Sequence, residues 1–175
     1  MSFIFNPYRY AGGYVIPQSL RFDGAAYLEK TFGGAGTRTT YSISFWVKLT
    51  NKNTSNGYIM EAGNALANGE GIRFTGATDT PLYINGVDGT GSGFKTTSAI
   101  YRDTGAWKHV LYVKDTTNGT AGDRLKLYVN GVEVTSFSSS TDPALNAVGN
   151  MMAAVVHRIG TGIYDSTPAQ FFHGL

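Results

Sequence analysis

The chain has 175 residues, enough for one domain that buries roughly 70% of its unfolded surface, and it carries 23 glycines, 13% aromatic and only 15% charged residues. Glycine disfavours helices while aromatic and β-branched side chains pack best on a pleated surface, so the composition points to an all-β domain rich in turns. The net charge of +2 comes with no run of Lys or Arg, which argues against nucleic acid or an anionic membrane as partner, and the absence of cysteine excludes disulfides, Cys-ligated zinc and thiol chemistry.

Residues 1–18 read as an arm, with Phe3, Phe5, Tyr8, Tyr10 and Tyr14 set among Pro, Asn and Gly. The start lacks a basic region, and Pro7 and Arg9 interrupt what would be the apolar part of a signal peptide, so if the protein works outside a cell it is expected to leave by a route other than secretion. No apolar stretch approaches the length of a membrane span. The domain proper covers residues 19–175. SLRFDG begins the strands, and AAYLEKTF follows as a second one.

The clearest strand is TYSISFWVKLT. Tyr41, Ile43, Phe45, Val47 and Leu49 share one side, and Ser42, Ser44, Trp46 and Lys48 the other. YIMEAG and GIRFTG are shorter strands around a Gly/Asn-rich loop. WKHVLYVKD, RLKLYVNGVEVTSF and VVHRIG come next, and the segment DPALNAVGNMMAAV has room for a helical turn.

The chain writes nearly the same words twice, PLYINGVDG and LKLYVNGVEV. Asn-Gly tolerates the positive φ angles of a two-residue turn whose twist matches the flanking strands, so both copies predict a hairpin. Folding about Asn130 and Gly131 sets Val129 against Val132 and Leu127 against Val134, with Tyr128 and Glu133 paired on the opposite side. The earlier copy, folded about Asn85 and Gly86, sets Ile84 against Val87 and Tyr83 against Asp88. The repetition therefore reads as backbone chemistry rather than as two ligand loops.

SLRFDGAAYL, YSISFWVKL, AWKHVLYVKD, RLKLYVNGVEV, HRIGTG and FFHGL occur in an order that resembles the concanavalin A-like lectin/glucanase superfamily, in its laminin-G-like branch. The wording is most similar to copies carried by phage virion proteins, tail fibres especially. The resemblance implies a two-sheet antiparallel jelly-roll sandwich. In relatives one more strand follows the F-x-G-L motif and pairs near the N-terminal one. This sequence ends at Leu175, so an uncovered edge open to a neighbour is expected.

Glycosidic hydrolysis requires two carboxyl groups flanking the scissile oxygen. Catalytic members of the superfamily place them at alternate positions of one strand. Glu29, Glu61, Glu70 and Glu133 are the only glutamates, none has an acidic neighbour two residues away, and no catalytic residue is assigned. His109, His157 and His173 are too far apart in sequence for a local metal motif, and the resemblance implies that His109 is a hydrogen-bonded structural residue beside the core. Ser138, Ser139 and Ser140 read as a polar loop. The family resemblance implies calcium as the one metal to consider, with Asp79, Asp103 and Asp123 as its weak ligand candidates and no other cofactor.

Sugar recognition stacks an apolar sugar face on an aromatic ring and hydrogen-bonds the hydroxyls. Trp46, Tyr83, Asp88, Tyr128 and Glu133 supply that chemistry and are the predicted carbohydrate-binding residues. Four aromatics in the first ten residues are costly to leave in water. They either fold back onto the domain or dock into another protein, and Phe3, Phe5, Tyr8 and Tyr10 are taken as a docking arm. The expectation is a non-enzymatic virion structural protein (tail fibre, appendage or capsid decoration) on the particle exterior. Other virion proteins, further copies of the chain and host-surface glycan are its expected partners, without nucleic acid or membrane insertion. The alternatives are a polysaccharide-degrading glycoside hydrolase of the same fold and a cellular carbohydrate-binding module.

Overall fold

The computed structural model describes residues 19–50, 56–63, 69–76, 80–86, 93–164 and 167–175. The arm, with Phe3, Phe5, Tyr8 and Tyr10, lies outside them, as do Asp79, Val87 and Asp88. Among the described residues the strands are β1 (Phe22–Asp23), β2 (Leu28–Thr31), β3 (Thr40–Val47), β4 (Gly57–Ala62) and β5 (Glu70–Phe74). They continue as β6 (Leu82–Asn85), β7 (Phe94–Thr97), β8 (Lys108–Asp115), β9 (Leu125–Val129) and β10 (Val132–Glu133). The last are β11 (Phe137–Thr141), β12 (Val156–Ile159), β13 (Gly162–Tyr164), β14 (Thr167–Ala169) and β15 (His173–Gly174). A single 3-10 turn, Ala121–Asp123, is the only helical element described.

Two antiparallel layers result, the predicted jelly-roll sandwich. The larger runs β11-β7-β6-β5-β4-β12-β2 and the smaller β10-β9-β8-β3. The smaller layer continues through the chain's last residues. Leu49 bridges Gly174, Lys48 and Leu175 exchange backbone hydrogen bonds of 2.9 and 2.8 Å, and β15 pairs in turn with β1. The FFHGL segment is thus itself the strand beside the N-terminal one.

Alternation decides which residues enter the core. Val47, Leu49, Val110, Tyr112, Leu125 and Leu127 of the smaller layer meet Ile72, Phe74, Leu82 and Ile84 of the larger, all buried. At one end of the sandwich the interior is polar. Lys114 Nζ donates to Glu70 Oε1 at 3.0 Å, both side chains being fully buried. The Tyr41 hydroxyl donates to the same oxygen, and the Met151 amide donates to Oε2 at 2.6 Å. Three separate segments converge on this carboxylate.

The two Asn-Gly copies part company. Asn130 (φ 53°) and Gly131 (φ 80°) make the expected two-residue turn, with Val132 opposite Val129 and Glu133 opposite Tyr128. Asn85 does not turn the chain. It pairs with Phe94, and the Gly86 amide donates to the Gly93 carbonyl at 2.8 Å, so the strands are joined through residues 87–92. The predicted pairing of Ile84 with Val87 and Tyr83 with Asp88 is therefore wrong. Gly86 is required for space: a Cβ there would lie 2.5 Å from Leu125 Cδ2 and 2.6 Å from the Tyr112 hydroxyl.

The same substitution should therefore fail for different reasons at the two sites. Gly131→Ala is expected to cost about 1–2 kcal/mol through the left-handed backbone. Gly86→Ala is expected to cost about 1–3 kcal/mol through overpacking. Urea unfolding checks both, and only the Gly86 variant should recover when Leu125 is shortened to Val.

Two further expectations are corrected. The serine run Ser138, Ser139 and Ser140 is not a loop but the body of β11, an edge strand whose polarity fits its exposed position. The segment after Pro143 forms turns rather than helix, with Asn146 (φ 60°) and Met152 (φ 65°) in left-handed conformations.

Candidate glycan-binding face

The register of the smaller layer fixes its outer face. Ser42, Ser44 and Trp46 stand opposite Val113, Leu111 and His109, and these in turn meet β9 through the pairs Val113–Lys126 and Leu111–Tyr128. Glu133 of β10 completes the row beside Tyr128. Trp46 is 61% exposed, a large apolar ring left in water near the end of β3. Its ring lies 5.2 Å from that of His109, centroid to centroid, and tilted 49° to it.

The surroundings hold that ring pair in place. His109 Nε2 lies 2.8 Å from Ser44 Oγ, and the His109 amide donates to Asn130 Oδ1 at 2.9 Å. The predicted turn residue Asn130 therefore also ties the hairpin to the strand beneath Trp46. Further along, Lys126 lies 3.1 Å from Asp123 and 3.7 Å from Glu133. The hydrogen bond to Asp123 and the charge of that carboxylate, helped by Glu133, hold the Lys126 ammonium above its ordinary pKa of 10.5. The face thus offers an aromatic platform, a hydroxyl, an amide and a charged rim two to three strands across and two to four residues along, ~16 Å away.

Three of the predicted binding residues, Trp46, Tyr128 and Glu133, share this face. Tyr83 does not: it lies on the outer face of the larger layer, opposite Arg73 and Thr96. There the Arg73 guanidinium sits between two rings, 4.2 Å from the centroid of Tyr83 and 5.0 Å from that of Tyr58, and donates to the Tyr58 hydroxyl. Tyr83 stacks on Phe94 at 5.8 Å. Burial, with the neighbouring Glu61 charge, pushes the Tyr58 hydroxyl up to about 12. Gly162 lies over its ring, where a Cβ would come within 2.3 Å. Tyr83 is a packed member of a cation–aromatic ladder. The sequence offered only alternation at Tyr83, because the partners sit on three different strands.

Neither acid chemistry nor calcium finds an arrangement among the described residues. Glu70 points between the sheets onto Lys114, whereas the β4–β5 register places Glu61 with Gly71 on the opposite face. Asp103 accepts the Gly105 amide at 2.7 Å, and Asp123 is engaged by Lys126. No three His, Asp or Glu side chains converge among the described residues, and Asp79 lies outside them.

An all-antiparallel sandwich with a ring-bearing outer face defines a lectin-type jelly roll. The family model described as the concanavalin A-like lectin/glucanases superfamily, in its Laminin_G_3 branch, matches residues 22–175, and the chain belongs to that family. No curated protein sequence matches the chain at a significant level. Among solved structures, the chain is similar to a heptameric pentraxin of Limulus polyphemus. The TM-score is 0.58 at 14% identity, covering 88% of this chain and 70% of that one. It is also similar to a putative carbohydrate-binding protein of Bacteroides ovatus, with TM-score 0.59 at 17% identity over 89% of this chain and 42% of that one. A third is domain 4 of the extracellular arabinanase AbnA of Geobacillus stearothermophilus, solved with arabinotriose. Its TM-score is 0.55 at 20% identity, covering 88% of this chain and 66% of that one. At these identities the likeness speaks for the fold alone.

Proposed function

We propose that this chain is a non-catalytic glycan-binding module whose binding face is the outer surface of the smaller sheet, centred on Trp46. The observation that carries the reading is the 61% exposure of Trp46 beside His109, whose ring is bonded to Ser44 and whose backbone amide is bonded to Asn130. An immobilised aromatic platform with polar groups at its rim suits the alternating apolar and hydroxylated faces of a sugar. It binds without the ordering cost that a mobile ring would bring. The carbohydrate-binding proteins among the similar structures support the same reading.

The setting we propose is the exterior of a phage particle, where the module contacts host-surface polysaccharide. The tail-fibre-like wording of the motifs supports it. Titration with surface polysaccharide by calorimetry tests the binding, and an assay for new reducing ends separates it from hydrolysis. Saturable binding without turnover is the expected result, and turnover lost on replacing one Glu or Asp would overturn it. Mass spectrometry of purified particles tests the setting.

A further inference from the structure

The two layers do not match in width on one side. β12 and β2 carry the larger sheet past the edge of the smaller one, and between them and β3 lies a cleft of about 380 Å³. Its walls are Leu28, Phe32, Ile43, Met60, Met152 and Ile159. Leu28 is 47% exposed although it points to the sandwich interior beside Ile159. The walls are fixed: Arg158 Nε donates to Glu29 at 2.8 Å across β12 and β2, and the Gly36 amide donates to the Met152 carbonyl at 2.7 Å.

The rim of this cleft is an open strand edge. Among the described residues, residues 40–46 pair with β8 on one side and with nothing on the other. The Thr116 amide donates to the Thr39 carbonyl, and the Lys48 amide turns away from β8 to Leu175. By alternation, the amides of Thr40, Ser42, Ser44 and Trp46 face the open side. A row of backbone donors above an apolar trough is what an added strand with alternating apolar side chains requires.

The geometry points to residues 2–10 of this same chain as that strand. The segment reads SFIFNPYRY, with Phe3 and Phe5 in one alternating register, Tyr8 and Tyr10 in another, and Arg9 as its only charge. The reach suffices. Phe22 is separated from Lys48 by one strand, β15, and the far end of β3 lies some eight residues on, so the path is ~35 Å. The 18 residues before Ser19 span up to ~60 Å when extended. The arm then completes the smaller sheet from within the molecule. This inference is independent of the glycan-binding reading, whose face lies on the other side of β3.

Hydrogen exchange followed residue by residue on the full chain tests it, comparing the native sequence with the double variant Phe3→Asp/Phe5→Asp. The Ser42 and Ser44 amides are expected to exchange at least tenfold faster in the variant, while the interior amides of Tyr112 and Lys114 stay unchanged and report an intact fold. Diluting the native protein tenfold is expected to leave Ser42 and Ser44 equally protected. Solvent-rate exchange of both amides in the native chain would overturn the proposal. So would protection that falls on dilution, since that assigns the strand to a second copy.

Discussion

Replacing Lys114 with methionine is expected to lower the unfolding free energy by about 3–5 kcal/mol, because it leaves a buried carboxylate without its cation. For a chain of this length that is a fall in Tm of about 10–15 °C, readable by calorimetry. The carboxylate in question, Glu70, also accepts from Tyr41 and the Met151 amide, so its loss uncouples the loop at Met151 from the sheets.

The pH dependence gives the signature. Burial raises Glu70 above its ordinary 4.5, while Lys114, Tyr41 and the Met151 amide pull it back. A carboxyl whose folded pKa exceeds its unfolded one favours the fold below the unfolded pKa and loses that contribution as pH rises through the folded value. Removing Lys114 raises Glu70 further. The deficit of Lys114→Met relative to the native chain should therefore shrink as pH falls through the two raised folded values of Glu70, both above its ordinary 4.5, and be smallest below 4.5. A deficit that stays constant across that range would show that lost packing, not charge, is responsible. The double variant Glu70→Met/Lys114→Met should cost less than the sum of the two single changes, since it buries no unpaired charge.

Trp46→Ala is the second large effect expected, and it falls on binding rather than folding. Truncating an anchor of this kind typically costs about 2 kcal/mol, which is roughly a 30-fold loss of affinity. Because the ring is mostly exposed, the unfolding free energy should change by no more than about 0.5 kcal/mol. Tyr83→Ala makes the informative contrast. It dismantles the stack with Arg73 and Phe94 on the opposite face, so it should lower stability and leave glycan affinity unchanged. Glycan titration and urea unfolding on both variants separate the two faces.

The two faces also show where sequence reading works and where it stops. The alternation of Tyr41, Ile43, Phe45, Val47 and Leu49 was enough to place Trp46 on the outside, because strand geometry leaves only two sides to choose from. Asn130 and Gly131 announced their turn through a local backbone requirement. Asn85 and Gly86 carry the same two letters, yet there the glycine answers to Leu125 and Tyr112 from the other sheet. That demand comes from some 26 to 39 residues away and leaves no local mark. The Glu70–Lys114 pair was equally hidden, since one partner lies on each layer and only the packing of the two sheets brings them together. Tyr83 looked like a sugar platform because alternation says which side a residue takes but not what already covers it. The serines of β11 were read as loop because an exposed edge strand lacks the apolar alternation by which strands are recognised.

The joining of β1 to β15 has a mechanical consequence. Phe22 stands opposite Gly174 and Asp23 opposite His173, so residues 19 and 175 lie at the same end of that short ladder. Tension applied between them peels its hydrogen bonds apart one after another instead of loading them together in shear. A tether anchored at both points would thus yield first at this seam, while the face bearing Trp46 remained folded under load.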